Sequence, residues 1–474
     1  MTLPAKFVER VLRDLGGTEG AALCAALDAE PPVSVRLNPA KTGAETVSAG
    51  PDAGLPVPEA AGLPALAIAG RVPWSRDGRY LAVRPSFTLD PDFHAGAYYV
   101  QEASSQFVGH LLAAVRTEGA RILDLCAAPG GKTTLYASLA GPDGLVVANE
   151  IDRRRASVLA DNVRKWGTGN VAVTTCEPRA LGDFEAWFDV VAVDAPCSGE
   201  GMFRKDPDAR GEWSEGNVKQ CAARQDEILR EAWRALRPGG TLVYSTCTFN
   251  RDEDEGALER MAAWAGDEIA ESEETAVEDA WGIVCGRVGA FRTFRFYPHR
   301  TCGEGFFAAV ARKSFDAGGR VRAPKARRTV FAAVDRKTAG ELARWVRNPG
   351  GMRFAAVADT CYAWYAAQVD AVRTLSEALP VIYSGVALGQ VFKGVLKPDP
   401  ALAFFDGLNR GALPAAELDD EETLRFLRRQ DIAAGGLAEG MNLVCSRGRA
   451  LGFAKRIGAR VNNLYPSSLR IIKQ

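Results

Sequence analysis

From Arg121 onward the chain alternates between short apolar runs and stretches whose apolar residues recur at helical spacing. The runs are residues 122–125, 145–148, 171–173, 190–193 and 242–244. Runs this short, apolar on both faces and separated by helices, predict a mostly parallel sheet covered on both sides. Residues 213–236 read as a long helix, stopped by Pro238, Gly239 and Gly240 before the last strand. Residues 291–297 and 305–310 read as a hairpin closing this unit. The acidic tract 267–279 reads as a solvated helix or loop with no function of its own.

Ahead of this region, Phe7, Val8, Val11, Leu12 and Leu15 fall at helical spacing within residues 7–27, and residues 31–38 read as extended behind two prolines. Residues 40–95, rich in Gly, Pro and Ala with short strand-like runs, predict a small α+β module. An amphipathic helix is expected over residues 106–115. Beyond it, residues 312–328 form a basic, Gly/Pro-containing link carrying Lys313, Arg320, Arg322, Lys325 and Arg327. Residues 329–395 mix helical and strand-like pieces, and residues 400–474 hold short apolar runs with frequent Gly. The expected division is therefore 1–95, 96–312, 313–395 and 396–474.

Composition narrows this little. At 474 residues the chain is too long for one core. With 58 Lys and Arg against 59 Asp and Glu, any nucleic-acid binding must come from local clusters. The tail supplies one: after Glu439 no acid follows, while Arg447, Arg449, Lys455, Arg456, Arg460, Arg470 and Lys473 do, which predicts a polyanion-binding face. No apolar run approaches the roughly 20 residues that span a bilayer, and the N-terminus lacks the pattern of a signal peptide. A cytoplasmic protein without membrane contact is the expectation. The ten cysteines include no Cys-x-x-Cys pair and there are only three histidines (His94, His110, His299), so no metal site is expected.

The stretch from Arg121 to Thr134 carries the first chemistry. An apolar run containing Asp124 breaks into Cys126, Ala127, Ala128, Pro129, Gly130 and Gly131, and a helix is expected to start near Thr133. Strand, tight glycine turn and helix N-terminus together receive nucleotide-like ligands in open α/β sheets. A phosphate-cradling Walker loop would need glycine where Cys126 stands, although Gly131-Lys132-Thr133 fit it. A plain structural turn is the other reading. A dinucleotide or S-adenosylmethionine site is favoured, because Glu150 closes the next apolar run about 20 residues on, placed for a ribose hydroxyl pair.

Two further stretches follow predicted strands: Asp194-Ala-Pro-Cys-Ser-Gly-Glu-Gly201 and Tyr244-Ser-Thr-Cys-Thr-Phe249. Strand carboxyl ends line the ligand crevice of a doubly wound sheet, so Cys197 and Cys247 should both lie near the cofactor. Such a pair suits methyl transfer to carbon 5 of cytosine, which is too weak a nucleophile to react directly. A thiolate adding to carbon 6 makes carbon 5 enamine-like and able to displace a sulfonium-bound methyl. Loss of the carbon 5 proton and expulsion of the thiol finish the turnover. Asp194 would hydrogen-bond the base, and the second thiol would assist proton transfer or elimination. The residues alone do not say which thiol attacks.

These stretches, with Gly303-Glu-Gly-Phe-Phe307 and Tyr99-Val-Gln-Glu-Ala-Ser-Ser105, resemble the Sun-type RNA cytosine-5 methyltransferases, and among them most the type that acts on bacterial 16S ribosomal RNA (RsmF type). The resemblance spans roughly residues 30–312. The tail, with Gly452-Phe-Ala-Lys-Arg456 and Arg460-Val-Asn-Asn-Leu-Tyr-Pro466, is similar to the PUA-like RNA-binding domain of that type. The resemblance implies a Rossmann-like methyltransferase core with a small N-terminal α+β module and a C-terminal PUA-like region, S-adenosyl-L-methionine as cofactor, and an RNA substrate, 16S rRNA or the small ribosomal subunit, bound by a monomer. It implies that Cys247 is the nucleophile, Cys197 aids product release, Asp194 contacts the base and Lys132 lies near the active site. Residues Cys126 to Lys132, Glu150, Arg155 and Asp194 would hold the cofactor. One departure stands out: where the family has aspartate after the third strand for the adenine amino group, this chain has Glu177. Cys126 is expected to be a packing residue in the turn, and His299 structural or RNA-facing.

Two other functions remain in view. Transfer RNA or another ribosomal site would keep the chemistry and change the substrate. A non-catalytic RNA-binding assembly factor would not need Cys197, Cys247, Asp194 and Lys132 together.

Overall fold

The structure, a computed structural model, describes residues 2–43 and 63–472. Residues 44–62, part of the stretch expected to form the small α+β module, and Lys473 lie outside the described residues. Helices Ala5–Leu15 and Gly17–Ala26 occupy the first amphipathic stretch. Their apolar face, including Phe7, Val11 and Leu23, packs on Phe203, Trp213 and Val218. Strands β1 (Val33–Leu37), β2 (Ile68–Arg71), β3 (Gly78–Leu81) and β4 (Tyr98–Val100) form an antiparallel sheet in the order β2-β3-β1-β4. β4 falls after residue 95, so this sheet reaches past the expected boundary. The helix expected over 106–115 is shorter, Phe107–Leu111 behind a 3-10 turn. Gly109 weakens it, and a Cβ there would crowd Leu135 at 3.2 Å.

The central sheet contains β5 (Arg121–Asp124), β6 (Leu145–Asn149), β7 (Val171–Thr174), β8 (Phe188–Asp194) and β9 (Leu236–Thr246), all parallel, in the order β9-β8-β5-β6-β7. These are the five apolar runs, buried on both faces because helices such as Gly131–Ala140, Arg153–Trp166 and Glu215–Ala235 cover them. The strand order reverses between β5 and β8, and this is where ligands bind in such sheets. β9 begins at Leu236, so Pro238 and the two glycines lie within the strand as an irregularity against β8 instead of ahead of it.

Beyond β9 the sheet turns antiparallel through β10 (Ile269–Ala270), β11 (Val284–Val288), β12 (Phe291–Phe296) and β13 (Phe306–Lys313). β12 and β13 are the expected hairpin. The acidic tract runs beside them and is ion-paired, Glu271 with Arg287 at 2.7 Å and Glu273 with Arg312 at 2.8 Å. Lys313 does not belong to the basic link: it ends β13, buried, and donates to the carbonyls of Trp233 and Leu236 at 2.9 and 3.2 Å.

A third sheet starts with β14 (Ala332–Ala333), β15 (Met352–Val357) and β16 (Thr360–Tyr365). The chain then leaves it: β17 (Val381–Ser384) pairs antiparallel with β7 and covers that edge of the central sheet. β18 (Val386–Phe392) and β19 (Val395–Pro398) complete the third sheet. The last sheet holds β20 (Ala415–Glu417), β21 (Gly440–Ser446), β22 (Arg449–Ile457) and β23 (Arg460–Asn463).

The cationic tail is not a uniform polyanion face. Arg447 reaches back to Asp90 at 3.3 Å and Asp92 at 3.0 Å, and Arg449 to Asp92 at 2.8 Å. Both aspartates are buried in the N-terminal region, so these two arginines join the ends of the chain. Arg456 donates to the carbonyl of Leu437 at 2.6 Å. Lys455, Arg460 and Arg470 stay exposed. Among the described residues no helix is long and apolar enough to cross a membrane.

Candidate active site

The loop after β5 sits at the switch point. Gly130 adopts φ of +110°, a conformation that L side chains rarely take, and Gly131 opens the following helix. The loop is held from outside: Asn162 and the Tyr99 hydroxyl donate to the Pro129 carbonyl at 2.8 and 3.1 Å, and Arg155 donates to that of Ala128 at 3.0 Å. Arg36, on β1, donates to Gln101 at 2.8 Å, to the Thr134 hydroxyl at 2.6 Å and to the Gly131 carbonyl at 3.1 Å. The N-terminal sheet thus shapes the glycine turn. Nothing in the spacing around Arg36 announces this role; only the sheet's position does.

Four acidic or thiol positions follow from adjacent strands. Asp124, ending β5, accepts from the Thr133 hydroxyl at 2.7 Å, while its other oxygen is buried without a partner among the described residues. Burial raises its carboxyl to about 7 against the opposing Thr133 hydrogen bond. Glu150, just past β6, is buried, accepts from the Asp152 amide at 3.0 Å and lies 3.3 Å from Arg155. Cys126 is half-buried and its thiol is pushed up by burial. Glu177, past β7, is exposed at the start of a short helix; Asn149 bonds the carbonyls of Leu125 and Cys176, tying the β5 and β7 loops together.

Lys132 and Asp194 meet across the switch point, Nζ to Oδ2 at 2.8 Å, and the Ser245 hydroxyl donates to Asp194 Oδ1 at 2.8 Å. Burial would push the Lys132 ammonium down; the Asp194 carboxylate outweighs it and holds the group above its ordinary value, with Cys247 near enough to add to the effect. The sulfurs of Cys197 and Cys247 stand 3.2 Å apart. The hydrogen bond to Cys247, and then burial, push the Cys197 thiol well up, and either sulfur of the pair can be the donor.

The two cysteine loops are stapled together by buried carboxylates that their spacing does not reveal. Glu253 accepts from the Ser198 amide at 2.9 Å, from Gln225 at 2.9 Å and from Asn250 at 2.7 Å. Glu200 accepts from the Phe249 amide at 3.0 Å and from the Trp213 ring at 2.9 Å. Gly201 donates its amide to the Cys247 carbonyl at 2.9 Å. Glu304 binds Arg204 at 3.0 Å and takes its own place from Glu102, which accepts the Glu304 amide at 2.8 Å, so residues 99–105, 200–205 and 303–307 converge. His299 bonds Glu19 at 2.8 Å and anchors the second N-terminal helix.

Fold and site together define a Rossmann-like, S-adenosylmethionine-dependent RNA methyltransferase. Residues 111–312 match the family model described as 16S rRNA methyltransferase RsmB/F, residues 3–103 the N-terminal domain of 16S rRNA methyltransferase RsmF, and residues 414–471 the methyltransferase RsmF PUA domain. The chain is 32% identical over 418 residues to ribosomal RNA small subunit methyltransferase F of Shewanella loihica, covering 84% of this chain and 83% of that one. The same protein of Escherichia coli O127:H6 is 33% identical over 425 residues, covering 84% of each chain. The chain belongs to the ribosomal RNA small subunit methyltransferase F family. Among solved structures it is similar to a methyltransferase homolog protein from Pyrococcus horikoshii, with a TM-score of 0.52 and 27% identity over 65% of this chain and 94% of that one. NSun6 from the same organism, solved with SFG, shares the fold with a TM-score of 0.51 and 22% identity, over 65% of this chain and 98% of that one.

The residues present fit S-adenosylmethionine. The buried Glu150 carboxylate suits a ribose diol, the unpartnered oxygen of Asp124 suits an ammonium donor, and the glycine turn exposes backbone where a ligand must approach closely.

Proposed function

We propose that this protein methylates carbon 5 of cytosine in 16S ribosomal RNA through a covalent bond between Cys247 and the base. The observation that carries the reading is the pair of thiols 3.2 Å apart at the ends of neighbouring strands, beside the Lys132–Asp194 pair. The 16S substrate is taken from the relatives' name and rests on family membership. S-adenosylmethionine, held by residues Cys126 to Lys132, Glu150, Arg155, Asp194 and Glu177, supplies the methyl group.

Cys197 and Cys247 divide the work. Cys247, attacking as its thiolate, is the sulfur that adds to carbon 6, the role the family resemblance gives it. The Lys132 ammonium complements the negative charge that attack moves into the ring. Asp194, fixed by Lys132 and Ser245, holds the polar edge of the base. After transfer, Cys197 serves the proton movements that let carbon 5 lose its hydrogen and the Cys247 sulfur leave.

The test uses labelled S-adenosylmethionine with small ribosomal subunits, naked small-subunit RNA and transfer RNA, and maps the label by mass spectrometry. Label at cytosine carbon 5 in small-subunit RNA is expected; label in transfer RNA alone would overturn the substrate and keep the chemistry. Cys247→Ala should abolish transfer while binding the cofactor normally by calorimetry. Cys197→Ala should accumulate a protein–RNA adduct, a slow band on a denaturing gel. An adduct in the Cys247 variant instead would reverse the two roles.

A further inference from the structure

We propose that the tip of the β18–β19 hairpin is a contact for single-stranded RNA, with Phe392 as a base-stacking platform and Lys393 and Lys397 as phosphate partners. The hairpin lies between the segments that match the family models, which end at residue 312 and resume at 414. The register pairs Phe392 with Val395 and Gln390 with Lys397. Alternation along the two strands therefore puts these four side chains on one face. All four are exposed, Phe392 at 71% and Val395 at 66%. The opposite face is the anchored one: Leu396 is buried, and its amide donates to Glu341 of the helix Arg336–Ala343 at 3.2 Å.

The tip is built to be stiff. Lys393 and Gly394 both take positive φ, +50° and +79°, the two-residue turn whose twist matches that of paired strands. A lysine at positive φ is uncommon, and here it is held where its ammonium lies 5.4 Å from the Phe392 ring centroid. Lys337 lies over the same turn; a Cβ on Gly394 would sit 3.5 Å from its Nζ. The acids of the supporting helix are engaged elsewhere, Asp335 accepting the Thr338 amide at 2.7 Å and Glu341 the Leu396 amide.

An exposed aromatic ring with Lys393 beside it, Lys397 on the same face and Lys337 near the turn matches the stacking-plus-phosphate chemistry that binds unpaired nucleotides without reading sequence. A protein partner would have to bring its own carboxylates to meet the ammonium groups, whereas single-stranded RNA presents a base face and a phosphate at every nucleotide. The inference rests on the reading that the substrate is RNA.

The experiment titrates a fluorescein-labelled single-stranded RNA oligonucleotide with the full chain and follows anisotropy at several salt concentrations. Phe392→Ala and Phe392→Leu should weaken binding by roughly five- to 100-fold, and Phe392→Trp should restore it. The double variant Lys393→Ala with Lys397→Ala should lower the salt slope by about one to two. Cofactor affinity and melting temperature should not move in any of them. Equal affinity of the Phe392→Ala, Phe392→Leu and wild-type chains would overturn the proposal, as would self-association of the wild type that Phe392→Ala abolishes, since the occupant would then be a second copy. Failure of the wild type itself to bind RNA would remove the substrate reading and this contact with it.

Discussion

At the scale of single residues the site is a set of charges and thiols placed by strand ends, and their environments differ more than their spacing suggests. Asp124 and Asp194 both end strands of the parallel core, yet one is buried against Thr133 and the other is neutralised by Lys132. The raised carboxyl of Asp124, near 7 when folded against 3.8 in a free chain, has a consequence for stability. At acid pH both states hold the proton and the fold loses nothing. As pH climbs from about 4 to about 7 the unfolded chain ionises while the fold still holds its proton, so stability falls, by up to about 4 kcal/mol for a shift of this size. Asp124→Asn keeps an acceptor for Thr133 and has no proton to hold. Without cofactor, its melting temperature should match the wild type near pH 4 and exceed it increasingly up to pH 7, then run parallel. Calorimetry should show it binding S-adenosylmethionine more weakly. A constant gap across that range would mean that Asp124 ionises normally in the fold. The aspartate is visible in the sequence; its burial is not, because that depends on β6 and β8 closing over it.

At the scale of elements, what is legible is what a short apolar run and its following turn can state locally. The five parallel strands, the long helix before β9 and the β12–β13 hairpin are of this kind. The joining of the two cysteine loops is not, since Glu200, Glu253 and Asn250 reach it only through the fold. Two glycines show how close that joint is. A Cβ on Gly201 would lie 2.5 Å from the Gly305 carbonyl oxygen and 3.0 Å from that of Cys247. Gly201→Ala must therefore part the loop bearing Cys197 from the loop bearing Cys247. Turnover should fall on the order of 100-fold, the effect of misplacing reacting groups by about 1 Å, while cofactor affinity stays at the wild-type value. Single-turnover methylation and calorimetry would read the two quantities; a variant with normal turnover would show that the loops can slide without cost. The edge strand β17 is equally hidden, because a four-residue strand that pairs with β7 from some 200 positions away carries no local mark of its partner.

At the scale of the whole molecule the ends of the chain are welded, and this divides the tail's cations into two groups with different jobs. Read along the sequence, seven cations after the last acid form one basic face. Folded, Arg447 and Arg449 turn inward onto Asp90 and Asp92, while Lys455 and Arg460 remain on the surface of β22 and β23. The Tyr465 hydroxyl, 3.3 Å from His94 Nδ1, adds a contact at the same junction. The reason is electrostatic: two carboxylates buried side by side cannot stay charged without compensation, and the arginines supply it. Removing both, in Arg447→Ala with Arg449→Ala, leaves those carboxylates buried and unpaired and should cost about 3–5 kcal/mol of stability. It should leave the salt dependence of RNA binding unchanged, because neither group faces a phosphate. Lys455→Ala and Arg460→Ala should do the reverse, melting like the wild type while each lowers the slope of log affinity against log salt by about one. Melting curves and RNA titrations on the same four chains separate the two jobs. If the arginine pair altered the salt slope and spared the melting temperature, the tail would be the single polyanion face its sequence suggests.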